Sequence, residues 1–202
     1  MILNKVEFIL MNNPLKTLFH EKFEAKTLRS ISSISNIDLA LEIGCGNGNG
    51  TRIIDKLFKP KKIVAIDLDK RMIEIAKRKK KNKNTIYEIM DTTKLNFPDN
   101  YFDAIFVFNV IHHIPNWKDS LNEIKRVLKP NGELLLEELS IETFTGGFGY
   151  VLRKLLKHPY QQMYSVQEFT DYINEIGFQI NISKYSNPLR MLKTIFLIAK
   201  KK

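Results

Sequence analysis

Leu39-Ala-Leu-Glu42-Ile-Gly44-Cys45-Gly46-Asn-Gly48-Asn-Gly50-Thr51 is an apolar run carrying one acid and ending in glycines at every second position. It reads as a buried strand delivered into a turn. Glycine lets such a turn adopt positive φ and lets a ligand lie directly on the backbone. In an open α/β sheet, ligands bind in the crevice beyond the carboxyl ends of the strands. The spacing then discriminates among ligands. A dinucleotide turn needs G-x-G-x-x-G, but the third position falls on Asn49 counted from Gly44 and on Thr51 counted from Gly46. No G-K-[S/T] follows, so a P-loop is excluded too. What remains is E-x-G-x-G-x-G, a floor for a small molecule that needs no pyrophosphate cradle.

Outward from this turn the apolar pattern alternates as a parallel sheet with helical crossovers does. Strands are expected over 39–43, 63–67, 85–90, 102–108, 133–139, 178–184 and 194–200, and helices over 51–58, 70–81, 117–128 and 166–176. Pro130 and Gly132 are expected to end the third of these helices, and Gly177 the fourth. There is no internal repeat and no low-complexity linker.

The chain has 202 residues, 44% hydrophobic and 27% charged, which is ordinary for one globular domain with its own core. The single cysteine, Cys45, lies inside the glycine turn and reads as a small apolar filler in a reducing compartment. The N-terminal apolar stretch is broken by Lys5 and Glu7, making a poor signal peptide, and no segment approaches the ~18 apolar residues of a membrane span. A cytoplasmic enzyme is the expectation. A formal charge of +10 raises the question of a polyanionic partner. The densest basic run, residues 77–83, however, ends a helix, where cations offset the negative end of the helix dipole and the helix end lies away from the ligand crevice.

The E-x-G-x-G-x-G turn resembles motif I of the class I S-adenosylmethionine (SAM) dependent methyltransferases, and the likeness extends over about residues 35–180. The resemblance implies an α/β, Rossmann-like doubly wound sheet of seven strands, order 3-2-1-4-5-7-6 with strand 7 antiparallel. It also implies SAM as cofactor, with S-adenosylhomocysteine (SAH) as product. One domain is expected: a helical cap over 1–34, a SAM-binding core over 35–140, a substrate lid over 141–165, and a closing helix and strands over 166–202.

Glu42, Gly44, Cys45, Gly46 and Gly48 are the expected cofactor residues of the turn. Asp67 ends the second strand about 20 residues later, where a carboxylate can accept from both ribose hydroxyls. Asp69 is better placed as the cap of the next helix. In similar enzymes the residues after this acid flank the adenine, which points to Leu68 and Met72. Asp91 closes the third strand and is expected to accept the adenine amine, with the backbone N–H of Thr92 on a ring nitrogen. The resemblance places the backbone around Asn109 at the methionine end of SAM and gives Asp103 a structural role.

His112 and His113 follow at the tip of the fourth strand. Adjacent histidines diverge and no third ligand lies near in sequence, so no metal is expected. A general base and a packing element at a helix start both remain open. Of Glu137 and Glu138, opposite-facing neighbours on the fifth strand, one can enter the site, and Glu138 is the candidate; a solvated strand end is the alternative. The 141–165 insert carries Gly146-Gly147-Phe148-Gly149, a candidate hinge, then an amphipathic basic stretch over 151–157 suited to a peripheral membrane contact, then His158 and Tyr164 as candidate substrate contacts. So short a lid favours a small-molecule acceptor. The runner-up is a tRNA-modifying methyltransferase, and a different class again is a noncatalytic SAM-binding subunit that activates a partner.

Overall fold

A computed structural model describes residues 8, 25–80, 83–145, 149, 150, 153, 159–186 and 194–202. After a short helix α1 (Ala25–Ile31), the chain runs β1 (Leu39–Ile43), α2 (Asn49–Phe58), β2 (Lys62–Asp67), α3 (Lys70–Lys79), β3 (Thr85–Ile89) and β4 (Phe102–Phe108). A 3-10 turn at Ile111–His113 leads into α4 (Trp117–Val127) and β5 (Leu128–Leu139), and a second at Ile141–Phe144 opens the insert; α5 (Val166–Glu175), β6 (Phe178–Ser186) and β7 (Thr194–Lys201) close the chain. The strands form one sheet in the order β3-β2-β1-β4-β5-β7-β6. Strands β1 to β5 pair in parallel, and β7 runs antiparallel to both β5 and β6. The doubly wound α/β fold is the one the apolar pattern led us to expect, and the strand order is the one the family resemblance implied.

The period of two along each strand explains the layering. Leu41, Ile43, Val64, Ile66, Ile105, Val107, Leu134 and Leu136 join one core cluster with Leu121, Ile124 and Val127 of α4 and Phe169 and Ile173 of α5. Their neighbours Ala40, Ile63, Ala65, Ala104, Phe106 and Leu135 join a second cluster with Leu28 of α1, Ile54 of α2, and Ile73 and Ala76 of α3. Central strands covered on both faces read as continuous apolar runs, which is why β4 is Phe-Asp-Ala-Ile-Phe-Val-Phe.

Helix α3 starts at Asp69, whose carboxylate accepts from the backbone N–H of Arg71 at 3.0 Å, and ends in Lys77, Arg78 and Lys79, the cations its dipole favours. Residues 81 and 82 of the basic run lie outside the described residues.

Most element ends fall within two residues of expectation, and the fifth strand is the exception. It begins at Leu128, directly after α4, and not at Glu133. Phe102 pairs with Leu128 and Ala104 with Glu133, so residues 129–132 loop out as a bulge within the strand. Asn131, at φ 64°, turns the chain there. Asp103 sits beside the bulge and ties three pieces together: it accepts from the backbone N–H groups of Asp38 and Leu39 at 3.0 and 2.8 Å, and from Lys129 Nζ at 2.6 Å.

Among the described residues no helix is long and apolar enough to cross a membrane. Gly146, Gly147 and Phe148 of the hinge, most of the 151–157 stretch and the cap before residue 25 lie outside the described residues, residue 8 apart.

Candidate functional site

The carboxyl ends of β1, β2, β3 and β4 open onto one cavity of about 310 Å³, within the range of small-molecule sites. Its floor is the glycine turn. Gly44 has φ 67°, and a Cβ there would come within 2.3 Å of the Val110 side chain, so only a bare backbone fits. The turn is stitched to β2: Cys45 N–H donates to the Ile66 carbonyl at 2.9 Å, and Gly46 N–H donates to Asp67 Oδ2 at 2.8 Å. Asp67 Oδ1 accepts from Asp69 N–H, also at 2.8 Å. Burial holds the Asp67 carboxyl above its ordinary range, opposed by these two backbone bonds.

Leu68, exposed, and Met72, fully buried, form an apolar wall beside Asp67. Asp91 and Thr92 follow at the tip of β3. Asp91 Oδ1 accepts from the backbone N–H and hydroxyl of Thr93 at 2.9 and 2.8 Å, and the Thr92 hydroxyl lies 2.8 Å from that of Ser120. Asn109, at φ 57°, closes β4; its backbone N–H donates to the Glu137 carbonyl at 2.7 Å and its side-chain amide to the Glu137 carboxylate. His113, half-buried, completes the far wall with Ile114, Pro115 and Asn116.

Of the residues expected at the cofactor, Gly44, Gly46, Asp67, Leu68, Met72, Asp91, Thr92 and Asn109 line this cavity, and Glu42, Cys45 and Gly48 do not. The β1 alternation sends Glu42 to the α2 face, where its carboxylate, 2% exposed, accepts from the Thr51 hydroxyl. Cys45 packs in the core on that same face, and burial pushes its thiol well up, leaving it a neutral filler. Gly48 caps α2 and faces Tyr87.

Three further expectations are corrected. His112 and Glu138 do not reach the cavity: His112 Nδ1 lies 2.6 Å from Glu138 Oε2, and both residues are buried. Glu137 and Glu138 are each 0% exposed, so neither is a solvated strand end. Tyr164, expected at the substrate, is also fully buried, its hydroxyl donating to Glu138 Oε2 at 3.2 Å. His158 lies outside the described residues.

Reading the sequence missed Ile43, Ile66, Met90, Thr93, Val110 and the Ile114–Asn116 wall. Thr93 had a signal in its adjacency to Asp91; the apolar members read as ordinary core. Among the described residues no three His, Cys, Asp or Glu side chains converge as a metal site requires.

Residues 41–136 match the family described as "Methyltransferase domain". The chain carries this match over just under half of its length. It is 30% identical over 132 residues to a demethylmenaquinone methyltransferase of Bacillus licheniformis, a match covering 64% of this chain and 56% of that protein. Identity to a ubiquinone/menaquinone biosynthesis C-methyltransferase of Stutzerimonas stutzeri is 29% over 142 residues, covering 68% of this chain and 55% of that protein. The chain thus spans just over half the length of these methyltransferase relatives. In fold it resembles a SAM-dependent methyltransferase of Aquifex aeolicus, with a TM-score of 0.76 over 98% of this chain and 99% of that one at 22% identity.

The methyltransferase cofactor, SAM, fits the residues present. The floor is bare backbone where a Cβ would collide, the strand tips offer two acceptor-only carboxylates to a ligand rich in hydroxyl and amine donors, and the wall between them is apolar.

Proposed function

We propose that this chain transfers a methyl group from SAM to a small-molecule acceptor, a quinone-like ring being the class that its relatives' names supply. One observation carries the reading: Gly44 and Gly46 of the bare turn line a single crevice together with Asp67 and Asp91. Bound SAM supplies an electrophilic methyl on a sulfonium whose charge disappears on transfer. The chain's own work is to hold and align. Asp67 accepts from the ribose hydroxyls, Asp91 from the adenine amine, Leu68 and Met72 pack on the base, and the turns at Gly44 and Asn109 meet the methionine end. Alignment in a dry crevice can contribute ~7–11 kcal/mol to such a displacement. Among the described wall residues His113 is the one titratable group besides the two aspartates, and it is the proton acceptor if the acceptor atom starts protonated.

The test is to incubate the protein and isotope-labelled SAM with fractionated native extract and identify the labelled product by mass spectrometry. Calorimetric heat with NAD or ATP, and none with SAM or SAH, overturns the reading.

A second reading, methylation of tRNA, has its own observation. Arg52 and Lys56 of α2 and Arg78, Lys79 and Lys80 at the end of α3 line a separate cavity of about 530 Å³. Filter binding to tRNA discriminates: a steep fall of affinity with salt favours it, and no binding at low salt removes it.

A further inference from the structure

Glu138 is a fully buried carboxylate surrounded by donors from two different parts of the chain. Its Oε1 accepts from the backbone N–H groups of Val110 and Ile111 at 2.5 and 2.7 Å. Its Oε2 faces His112 Nδ1 at 2.6 Å, with the His112 N–H at 3.4 Å and the Tyr164 hydroxyl at 3.2 Å. The first group belongs to the reversal after β4, and Tyr164 ends the insert. The insert's other end is fixed beside it: Ile141 N–H donates to the Tyr164 carbonyl at 3.0 Å, and Val166 N–H to Glu142 Oε1 at 3.1 Å.

Glu138, Ile111, His112 and Tyr164 do not line the cavity, yet what they hold does. Val110, tied by its N–H to Glu138, lays its side chain on Gly44, so closely that a Cβ there would be 2.3 Å away. Val110 and Gly44 are both cavity wall. His113, next along the same reversal, is wall as well, and its ring lies 4.2 Å from that of His112. A carboxylate with so many donors, buried where water cannot substitute, is a strong geometric constraint.

We propose that Glu138 is a positioning residue that fixes the Val110–His113 wall against the glycine turn and, through Tyr164, couples that wall to the closing end of the insert. The proposal rests on the cofactor reading above. It makes cofactor affinity depend on a hydroxyl in the insert that the cofactor never meets.

The sole tryptophan reports on the joint. Trp117 follows wall residue Asn116 and packs edge-on against Tyr164 with ring centroids 5.0 Å apart. SAH is titrated into wild type, Tyr164→Phe, Glu138→Leu and Glu138→Gln, following heat and Trp117 emission, with circular dichroism to establish that each variant is folded. Glu138→Leu is expected to weaken SAH roughly tenfold or more by orphaning the Val110 and Ile111 N–H groups. Glu138→Gln retains an acceptor for them and an amide for His112, and is expected to stay within about threefold of wild type. Tyr164→Phe removes one hydroxyl, and is expected to weaken SAH a few-fold and reduce the emission change on binding.

Folded Tyr164→Phe and Glu138→Leu proteins with wild-type affinity and emission overturn the proposal. If Glu138→Leu does not fold, Tyr164→Phe alone decides it. Wild type that fails to bind SAH removes the cofactor reading itself, a result distinct from wild-type binding that is indifferent to both substitutions.

Discussion

Asp67→Ala removes the residue to which the proposed function assigns ribose recognition. Each Asp67 oxygen accepts one backbone N–H at 2.8 Å, from Asp69 and from Gly46, leaving each a further lone pair. Two vicinal ribose hydroxyls match two such acceptors side by side. A hydrogen bond to a charged group contributes ~1.5–3 kcal/mol, but two on one carboxylate are not additive, and water entering the truncated site restores part of the loss. The expected net is about 1–3 kcal/mol, or roughly a 5- to 150-fold rise in the SAH dissociation constant.

Fold stability should move much less. The substitution orphans the N–H groups of Gly46 and Asp69, but it also removes a carboxylate whose pKa burial has raised. Calorimetric titration with SAH and with its 2′-deoxyribose analogue separates recognition from general damage. Wild type should prefer SAH, and Asp67→Ala should bind both alike. An unchanged SAH dissociation constant in the variant, or a preference for the 2′-hydroxyl that survives it, refutes the assignment.

Gly44→Ala should abolish measurable SAH binding and destabilise the fold by ~1–3 kcal/mol, because the residue sits at φ 67° and the new methyl would lie 2.3 Å from the Val110 side chain; thermal melts with and without SAH check this. SAH affinity should fall as pH is lowered through the Asp67 titration. Since burial raises that pKa, the loss begins above pH 3.8, where an ordinary aspartate is still ionised, and a pH series of calorimetric titrations should show it absent from Asp67→Ala. Burial likewise pushes Glu138 up to about 7 from its ordinary 4.5. A folded-state pKa above the unfolded one means stability fully present below pH 4.5 and lost as pH rises through 7, at most about 3 kcal/mol for this pair of values. Melting temperatures of wild type should therefore fall relative to Glu138→Gln between pH 5 and pH 8, and a rise over that window contradicts the assignment.

The parallel core was legible because its signals are local and redundant. A strand covered on both faces must be apolar where it is covered, and β4 is from Ala104 to Phe108; a helix on one face must bury residues at helical spacing, and α3 does so with Met72, Ile73 and Ala76. Asp67 was legible for the same reason, since an acid at a strand tip after an apolar run has few other places to point. The start of β5 was not, because Pro130 and Gly132 are ordinary helix-stop signals. Nothing local reveals that Leu128 is already paired with Phe102, with residues 129–132 looped out.

The acids show where reading a site from sequence stops. Glu42, Asp67, Glu137 and Glu138 all lie in the carboxyl-terminal halves of strands, and only Asp67 faces the crevice. Parity along the strand gives each one a face of the sheet: Glu42 turns with Ala40 toward α2, and Glu138 turns with Leu134 and Leu136 toward α4 and the insert. It does not say whether the element on that face brings a partner. Thr51 on α2 makes Glu42 a brace for the turn, and Tyr164, 26 residues away at the end of the insert, makes Glu138 a joint between two parts of the chain. A carboxylate at a strand end becomes a ligand only where the neighbouring layer leaves it unroofed. In this sheet that happens above β2 and β3, and β4 and β5 are roofed by their own crossover.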